Sequence, residues 1–220
     1  MAQPEKLNYQ TIIENMLANQ DTTQMETPLE PKQNQENLMK ASELWKISRV
    51  SERHKNFKPE HSKSTVWSEK FSALSGRLGT GFIALIIGTR GAGKSQLAAC
   101  AIRSSCKNLR SALYVKAFDF FLSIRSTYSK ESSIKTEEGI LKEFSSPSLL
   151  VIDAIENRSD SPFENMLLNH LVDTRYDSKK DTILIGNLDE ISFAASMGPS
   201  IVDRIHECGV KIVCNWKSFR

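Results

Sequence analysis

The sequence predicts an α/β domain of three layers, in which helices cover both faces of a five-stranded parallel sheet. Short apolar runs rich in β-branched residues recur at residues 82–87, 112–115, 149–152, 182–185 and 210–214. Helical patterns fill the intervals between them. Strands that are apolar on both faces and alternate with helices are typical of parallel sheets buried between two helical layers. A glycine-rich turn directly follows the first run, as expected where such a sheet binds phosphate.

Size and composition are those of an ordinary globular protein. The chain has 220 residues, of which 40% are hydrophobic and 25% charged, and this is enough for one substantial core. The net charge of +3 is too small to indicate nucleic-acid binding by itself. No apolar run approaches the roughly 18–20 residues of a membrane span, and the first residues lack a signal-peptide core. We therefore predict a cytoplasmic protein without a membrane partner.

Changes in composition predict the domain boundaries. Residues 1–18 form a short amphipathic pattern, for which we expect a partner-docking helix; a frayed terminus without function is the alternative. Residues 19–37 are polar and contain two prolines, which predicts a flexible linker. A helical lead-in over 38–80 precedes a core over 81–220. The candidate docking side chains on the apolar face of the first helix are Ile12, Ile13, Met16 and Leu17.

The strongest motif lies between Gly88 and Ser95, directly after the first strand. It has the pattern of Gly, four residues and Gly-Lys-Ser, in which glycines let backbone amides and a helix N-terminus face phosphate groups. Lys94 would bind the β and γ phosphates, and the Ser95 hydroxyl would hold magnesium. The motif predicts a P-loop for ATP with Mg²⁺, and a purely structural turn is the alternative. The predicted nucleotide-binding residues are Gly88, Thr89, Arg90, Gly91, Ala92, Gly93, Lys94, Ser95 and Gln96.

A second nucleotide element follows the strand at residues 149–152. Asp153 is placed to hold magnesium, usually through water. In hydrolysing enzymes the next residue is commonly a Glu that activates the attacking water, and here it is Ala154. Glu156 would reach back only if the chain turns sharply after the strand; its alternative is an exposed loop acid. We therefore expect ATP binding with slow turnover.

A polar amide follows the fourth predicted strand. Asn187 comes directly after Gly186, at the carboxyl edge of the sheet where ligands bind in such folds. We predict that Asn187 senses the γ-phosphate or the attacking water. The alternative is an Asn that simply starts a turn.

With the P-loop, Asp153 and Asn187 in this order, the chain resembles the DnaC-type replicative helicase loaders. This is a branch of the AAA+ ATPases related to the transposition ATPase IstB. The resemblance runs from about Trp45 to Arg220 and is strongest to versions carried by phages and prophages. The stretches that carry it are SERH at 51–54, LLVID at 149–153, NHLVDTRY at 169–176, VDR at 202–204 and NWKSFR at 215–220.

The resemblance implies an AAA+ domain of the ASCE class that works as an oligomer. Arg204 would be the arginine finger that reaches the ATP of a neighbouring subunit, where a guanidinium neutralises charge on the γ-phosphate. Without the resemblance, Arg204 reads as a surface residue of a helix. The catalytic residues predicted in this way are Lys94, Asp153, Glu156, Asn187 and Arg204.

The same family resembles DnaA initiators in holding single-stranded DNA in a central pore. A guanidinium can follow phosphates, and aromatic rings can stack on bases of any sequence. For the two aromatic residues, packing in the core is the alternative. The matching positions are Arg125, Tyr128, Ser161 and Phe163.

Helicase loaders also carry an N-terminal extension that grips the replicative helicase, and residues 1–18 occupy that place. The sequence ends directly after the last predicted strand, so a C-terminal helical lid is not expected. Our leading hypothesis is an ATP-dependent loader of a DnaB-type helicase onto single-stranded DNA in replication initiation. The alternatives are an IstB-like transposition ATPase acting on duplex DNA, a small-molecule kinase and a non-hydrolysing adaptor.

Overall fold

The computed structural model describes residues 31–58, 64–128 and 136–219. The chain divides into two compact units, Met1–Gln35 and Glu36–Arg220. All residues discussed below belong to the second unit, apart from the first turn of one helix. The predicted docking helix at 1–18, with Ile12, Ile13, Met16 and Leu17, lies outside the described residues.

Five parallel strands form one sheet in the order β2-β3-β4-β1-β5. This confirms the predicted fold class, and each strand lies within one residue of its predicted limits. The order places β1 between β4 and β5, and β3 beside β4, so that their carboxyl ends share one edge. The strands are β1 (Ile83–Gly88), β2 (Ala112–Lys116), β3 (Leu149–Asp153), β4 (Asp181–Gly186) and β5 (Val210–Cys214).

Helices pack on both faces of the sheet because alternate strand residues point to opposite sides. Ile83, Leu85 and Ile87 of β1 belong to one core cluster, and Ala84 and Ile86 belong to the other. The helices are α1 (Pro31–Ile47), α2 (Glu52–Lys55), α3 (Thr65–Ser75), α4 (Lys94–Lys107), α5 (Ala117–Ser126), α6 (Glu137–Ser145), α7 (Pro162–Asp177) and α8 (Glu190–Cys208).

The two helical layers come from different parts of the chain. Helices α3 and α4 contribute Trp67, Leu74 and Leu97 to one cluster. Helices α5 to α8 cover the other face, for example through Phe120 and Phe193. The lead-in therefore packs on the same side of the sheet as the helix that follows the P-loop.

Helix α1 begins earlier than the sequence indicates. Positions 31–37 are helical, although they fall within the linker predicted over 19–37. Proline fits the first turn of a helix, and the residues that follow Pro31 include the good helix formers Lys, Gln and Glu. Local helix propensity thus outweighs the absence of large apolar side chains.

Among the described residues, no helix is both long and apolar enough to cross a membrane. After β5, residues 215–219 contain no helix. They lie against the glycine-rich turn that follows β1, where Phe219 donates its N–H to the Gly91 carbonyl.

Candidate nucleotide-binding site

The turn after β1 is a P-loop in geometry as well as in sequence. Gly88, Gly91 and Gly93 all have positive φ angles, of 128°, 83° and 82°. A Cβ on Gly88 would also collide with the carbonyl group of Cys214, because β5 runs alongside the loop. Only glycine satisfies both conditions at position 88. Lys94 then begins α4, so the helix N-terminus faces the same space as the loop.

The Lys94 side chain folds over the loop. Its Nζ donates to the carbonyl oxygens of Gly88, at 2.8 Å, and Thr89, at 2.7 Å. Burial lowers the pKa of Lys94, while the nearby carboxylates of Glu156 and Asp153 act in the opposite direction. The ammonium group is therefore held beside the loop, ready for a negatively charged ligand.

The buried carboxylate of Asp153 ends β3 as predicted. Its Oδ1 accepts the N–H of Ala154 at 2.7 Å, and its Oδ2 accepts the Tyr114 hydroxyl. Burial, followed by the charge of Asp153, raises the pKa of Tyr114. Asp153 and Ser95 line the same cavity, and a carboxylate with a hydroxyl is the oxygen donor set that magnesium prefers. The two predicted magnesium ligands fit this ion.

The chain turns sharply after β3, which is the condition for Glu156 to reach back. Ala154 has the left-handed angles φ 56° and ψ 49°, and a 3₁₀ turn at Ile155–Asn157 follows. Glu156 is half-buried and accepts two hydrogen bonds from Asn187, one from the backbone N–H at 3.1 Å and one from Nδ2. Glu156 is therefore not an exposed loop acid. It contacts Asn187, and Asn187 lines the cavity.

These elements enclose a cavity of about 720 Å³ at the carboxyl edge of the sheet. Its position above β1, β3 and β4 is where parallel α/β sheets bind ligands. One side is polar and belongs to the P-loop and the strand ends; the other side is largely aromatic. The lining residues are Arg53, His54, Phe57, Ser64, Trp67, Arg90, Gly91, Gly93, Lys94, Ser95, Gln96, Asp153, Ala154, Asn187 and Phe219.

Most of the predicted P-loop set lines the cavity, and the remainder supports it. Ala92 is fully buried, and Gly88 and Thr89 offer their carbonyl groups to Lys94. Gln96 faces the lead-in, where its Oε1 lies 2.8 Å from Nδ1 of His54. This contact ties α2 to α4.

Arg204 lies outside this cavity, on α8. Its guanidinium donates to the Ser200 carbonyl at 3.0 Å, pairs with Asp173 at 3.1 Å and lies 5.2 Å from the ring centre of Tyr176. The side chain is 23% exposed. Arg204 thus makes no contact with the nucleotide cavity of its own chain, and it is held by α7.

The four predicted DNA contacts lie together on another surface. Arg125 pairs with Glu164 of α7, while Ser161 accepts the N–H of Glu164 at 3.3 Å as the helix cap. The rings of Tyr128 and Phe163 meet edge to face, with centroids 6.2 Å apart. These rings are 59% and 37% exposed, so the alternative that they pack in the core is wrong.

Several residues of the site were not identified from the sequence. The aromatic wall of Phe57, Trp67 and Phe219 comes from segments far from the P-loop in the chain. Tyr114 had one detectable signal, because a phenol inside an otherwise apolar strand needs a polar partner. Arg175, within the NHLVDTRY stretch, lies away from the cavity, at the amino end of β4; it is completely buried and donates to the carbonyl groups of Phe144, Ser145, Pro147 and Asp181 and to the Thr182 hydroxyl.

The chain is similar in sequence to known proteins. The family model described as IstB-like ATP binding protein matches residues 1–220. The replicative helicase loader DnaC of Buchnera aphidicola subsp. Baizongia pistaciae is 30% identical over 161 residues, which cover 73% of this chain and 64% of that protein. DnaC of Escherichia coli K12 is 29% identical over 134 residues, or 60% of this chain and 54% of that protein. The chain thus spans between about half and two thirds of these relatives.

Solved structures agree on the fold. A crystal structure of the DnaC helicase loader superposes with a TM-score of 0.64 at 18% identity, covering 74% of this chain and 99% of that chain. A replication initiator DnaA bound to AMPPCP and single-stranded DNA gives 0.63 at 19% identity, covering 77% and 52%. The predicted AAA+ fold is therefore confirmed. With the family model matching its whole length, the chain belongs to the IstB-like ATP-binding protein family, within which the DnaC helicase loaders are its named relatives.

Proposed function

We propose that this chain is an ATP-dependent loader that delivers a DnaB-type replicative helicase to single-stranded DNA. The observation that carries the proposal is one cavity that joins the P-loop, Asp153 and Asn187, in a chain whose curated relatives are named replicative helicase loaders. ATP acts as the switch, and the helicase and DNA are the partners it controls.

In the nucleotide site, each residue has a separate task. Lys94 leaves the loop carbonyls and pairs with the phosphates, and the P-loop amides hold the phosphate oxygens. Ser95 and Asp153 would hold the magnesium ion, which when bound neutralises charge on the β and γ phosphates. The hydrogen bond from the Tyr114 hydroxyl holds the Asp153 carboxylate in place before the nucleotide arrives.

Hydrolysis by the isolated chain is slow, because the residue after Asp153 is Ala154. Glu156 acts indirectly, because it holds Asn187 through two hydrogen bonds. Asn187 then orients the γ-phosphate or the attacking water. The site therefore suits a long-lived ATP state better than rapid turnover.

Arg204 would complete the ATP site of a neighbouring subunit. In its own chain it is not among the residues that line the cavity, and its partners Asp173 and Tyr176 hold it on the α7 side of α8. An R204A variant should keep ATP affinity within about twofold but lose ATPase stimulation on assembly. Mixing R204A with K94A subunits should restore hydrolysis, because each supplies what the other lacks. Unchanged stimulation in R204A alone would contradict the trans role.

Single-stranded DNA would bind at the surface formed by Arg125, Tyr128, Ser161 and Phe163. Its exposed rings can stack on bases, and base stacking is worth roughly 1–3 kcal/mol per base. We expect Y128A to weaken binding of fluorescent oligothymidine by about tenfold, and R125A to reduce the salt dependence as well. L109A serves as the control. Leu109 is an exposed apolar residue outside this surface, so L109A should leave the DNA affinity unchanged. DNA affinity that ignored both Y128A and R125A would refute the assignment.

The mass of the complex tests whether this chain binds the helicase. The chain weighs 24.8 kDa, so a complex with a helicase ring should exceed the ring by multiples of that mass in mass photometry. We expect the complex to form with ATP, and electron microscopy to show the chain on an open ring. A helicase ring of unchanged mass with and without ATP would contradict the proposal.

The family model favours one competing function. Its description names IstB, so a transposition ATPase that acts on duplex DNA is the second candidate. ATP-dependent filaments on duplex DNA in negative-stain images, without helicase binding, would support that candidate.

A further inference from the structure

The end of β5 and the segment that follows it contact the P-loop through three hydrogen bonds. We call three groups the tail clamp: the carbonyl of Cys214 at the end of β5, and the Trp216 indole and the Phe219 backbone amide of the segment that follows it. Cys214 accepts the N–H of Thr89 at 3.2 Å, and Phe219 donates to the Gly91 carbonyl at 3.0 Å. Trp216 donates from Nε1 to the Ala92 carbonyl at 3.1 Å.

The bonds from Phe219 and Trp216 are made to carbonyl groups of the loop, which do not bind phosphate. A peptide group is planar and trans, so its C=O and N–H point in opposite directions. Holding the Ala92 carbonyl on Trp216 therefore turns the N–H of Gly93 away from the tail, and Gly93 lines the cavity. The bond from Phe219 likewise fixes the peptide between Gly91 and Ala92. The N–H of this peptide donates to the Thr89 carbonyl at 3.4 Å.

A second tryptophan contacts the loop from the lead-in. Trp67 is almost fully buried, and its Nε1 lies 3.4 Å from the Gly93 carbonyl, which also accepts the N–H of Leu97 at 2.9 Å. A Cβ on Gly93 would lie 3.0 Å from the Trp67 nitrogen and 3.2 Å from the Phe219 ring. The loop is thus packed between the lead-in and the tail, and glycine at 93 leaves room for both.

We propose that the tail clamp, through Trp216 and the Phe219 amide, pre-organises the P-loop amides and thereby raises affinity for the polyphosphate of the nucleotide. Trp216 is a positioning residue, because it acts on the ligand only through the peptide it holds. The clamp rests on the proposed ATP function. It predicts that loss of a single donor weakens binding of any polyphosphate, with or without the base.

The test compares two matched tryptophan variants of the full chain. W216F removes the N–H and keeps an aromatic ring, and W45F makes the same change at a half-buried tryptophan outside the cavity. A fluorescent ATP analogue is displaced by ATP and by inorganic tripolyphosphate. One lost hydrogen bond corresponds to roughly three- to tenfold in affinity. We expect W216F to lose this factor for both competitors and W45F to lose neither.

A second pair removes the other donor and covers the case in which W216F does not fold. F219P and F219A both lose the ring, but only F219P loses the backbone N–H. Tripolyphosphate should bind F219P several-fold more weakly than F219A. Equal tripolyphosphate affinity of the two variants in each pair would overturn the clamp. The clamp is also overturned if W216F weakens the binding of ATP but not of tripolyphosphate, because Trp216 would then act on the base. Wild-type protein that bound no ATP analogue would overturn the nucleotide function and the clamp together.

Discussion

The contact between Glu156 and Asn187 gives the sharpest prediction about hydrolysis. E156A removes both hydrogen bonds that Asn187 donates to this carboxylate, while N187A removes only the side-chain bond. If Glu156 acts by holding Asn187, the double variant should be no slower than the slower single variant. If Glu156 instead activates water directly, its loss should cost roughly 10²–10⁴-fold even when Asn187 is already absent.

The expected coupling follows from one shared hydrogen bond to a charged group. Such a bond is worth roughly 1.5–3 kcal/mol, and partial solvent access of this pair places it near the lower value. A coupling energy of about 1.5 kcal/mol corresponds to roughly tenfold in rate. E156Q keeps an oxygen for Nδ2 but loses the charge, so its rate should lie between those of wild type and E156A.

The assay is single-turnover hydrolysis of labelled ATP, with nucleotide affinity measured in parallel. E190A serves as a control, because Glu190 is an exposed acid in the first turn of α8 that pairs with Lys211. Strictly additive effects of E156A and N187A would refute the positioning role. Rapid wild-type turnover that E156Q leaves unchanged would refute any role of Glu156.

Three further predictions concern stability, magnesium and pH. R175M should lower the free energy of unfolding by roughly 3–5 kcal/mol in urea denaturation, since it leaves several buried acceptors without their donor; a loss under about 1 kcal/mol would contradict this. Y114F removes the hydroxyl bonded to Asp153, so magnesium titrations of ATP binding should shift several-fold to higher concentration, while affinity in EDTA stays constant; an equal loss in EDTA would contradict a role at the metal. Burial lowers the pKa of Lys94, and only its charged form attracts phosphate, so ATP affinity should fall as pH rises at values below the ordinary lysine pKa of about 10.4; constant affinity up to that pH would contradict the pKa direction.

The sequence predicted the sheet and the phosphate side of the site because both depend on local patterns. Strands apolar on both faces identify a parallel sheet, and the carboxyl ends of such strands meet at one edge. Lys94, Asp153 and Asn187 follow from that rule, and the structure brings them to one cavity. The likeness to helicase loaders added the AAA+ fold, which the solved structures confirm.

The rest of the site depends on contacts between distant segments, which no local pattern contains. Tyr114 reaches Asp153 only because β2 pairs with β3 in the observed register. Trp216 contacts Ala92 across more than a hundred residues of chain. The sequence alone leaves the position of Glu156 open, because that position depends on the left-handed turn at Ala154, a conformation that alanine rarely adopts.

Helicase loading on circular DNA tests our proposal that ATP bound by this chain controls helicase delivery to DNA. Circular single-stranded DNA has no end for a closed ring to thread, so helicase bound to it after gel filtration has been loaded through an opened ring. We expect stable helicase–circle complexes to require both this chain and ATP, and K94A to abolish them. Equal loading without the chain, or with K94A, would refute the proposed loader function.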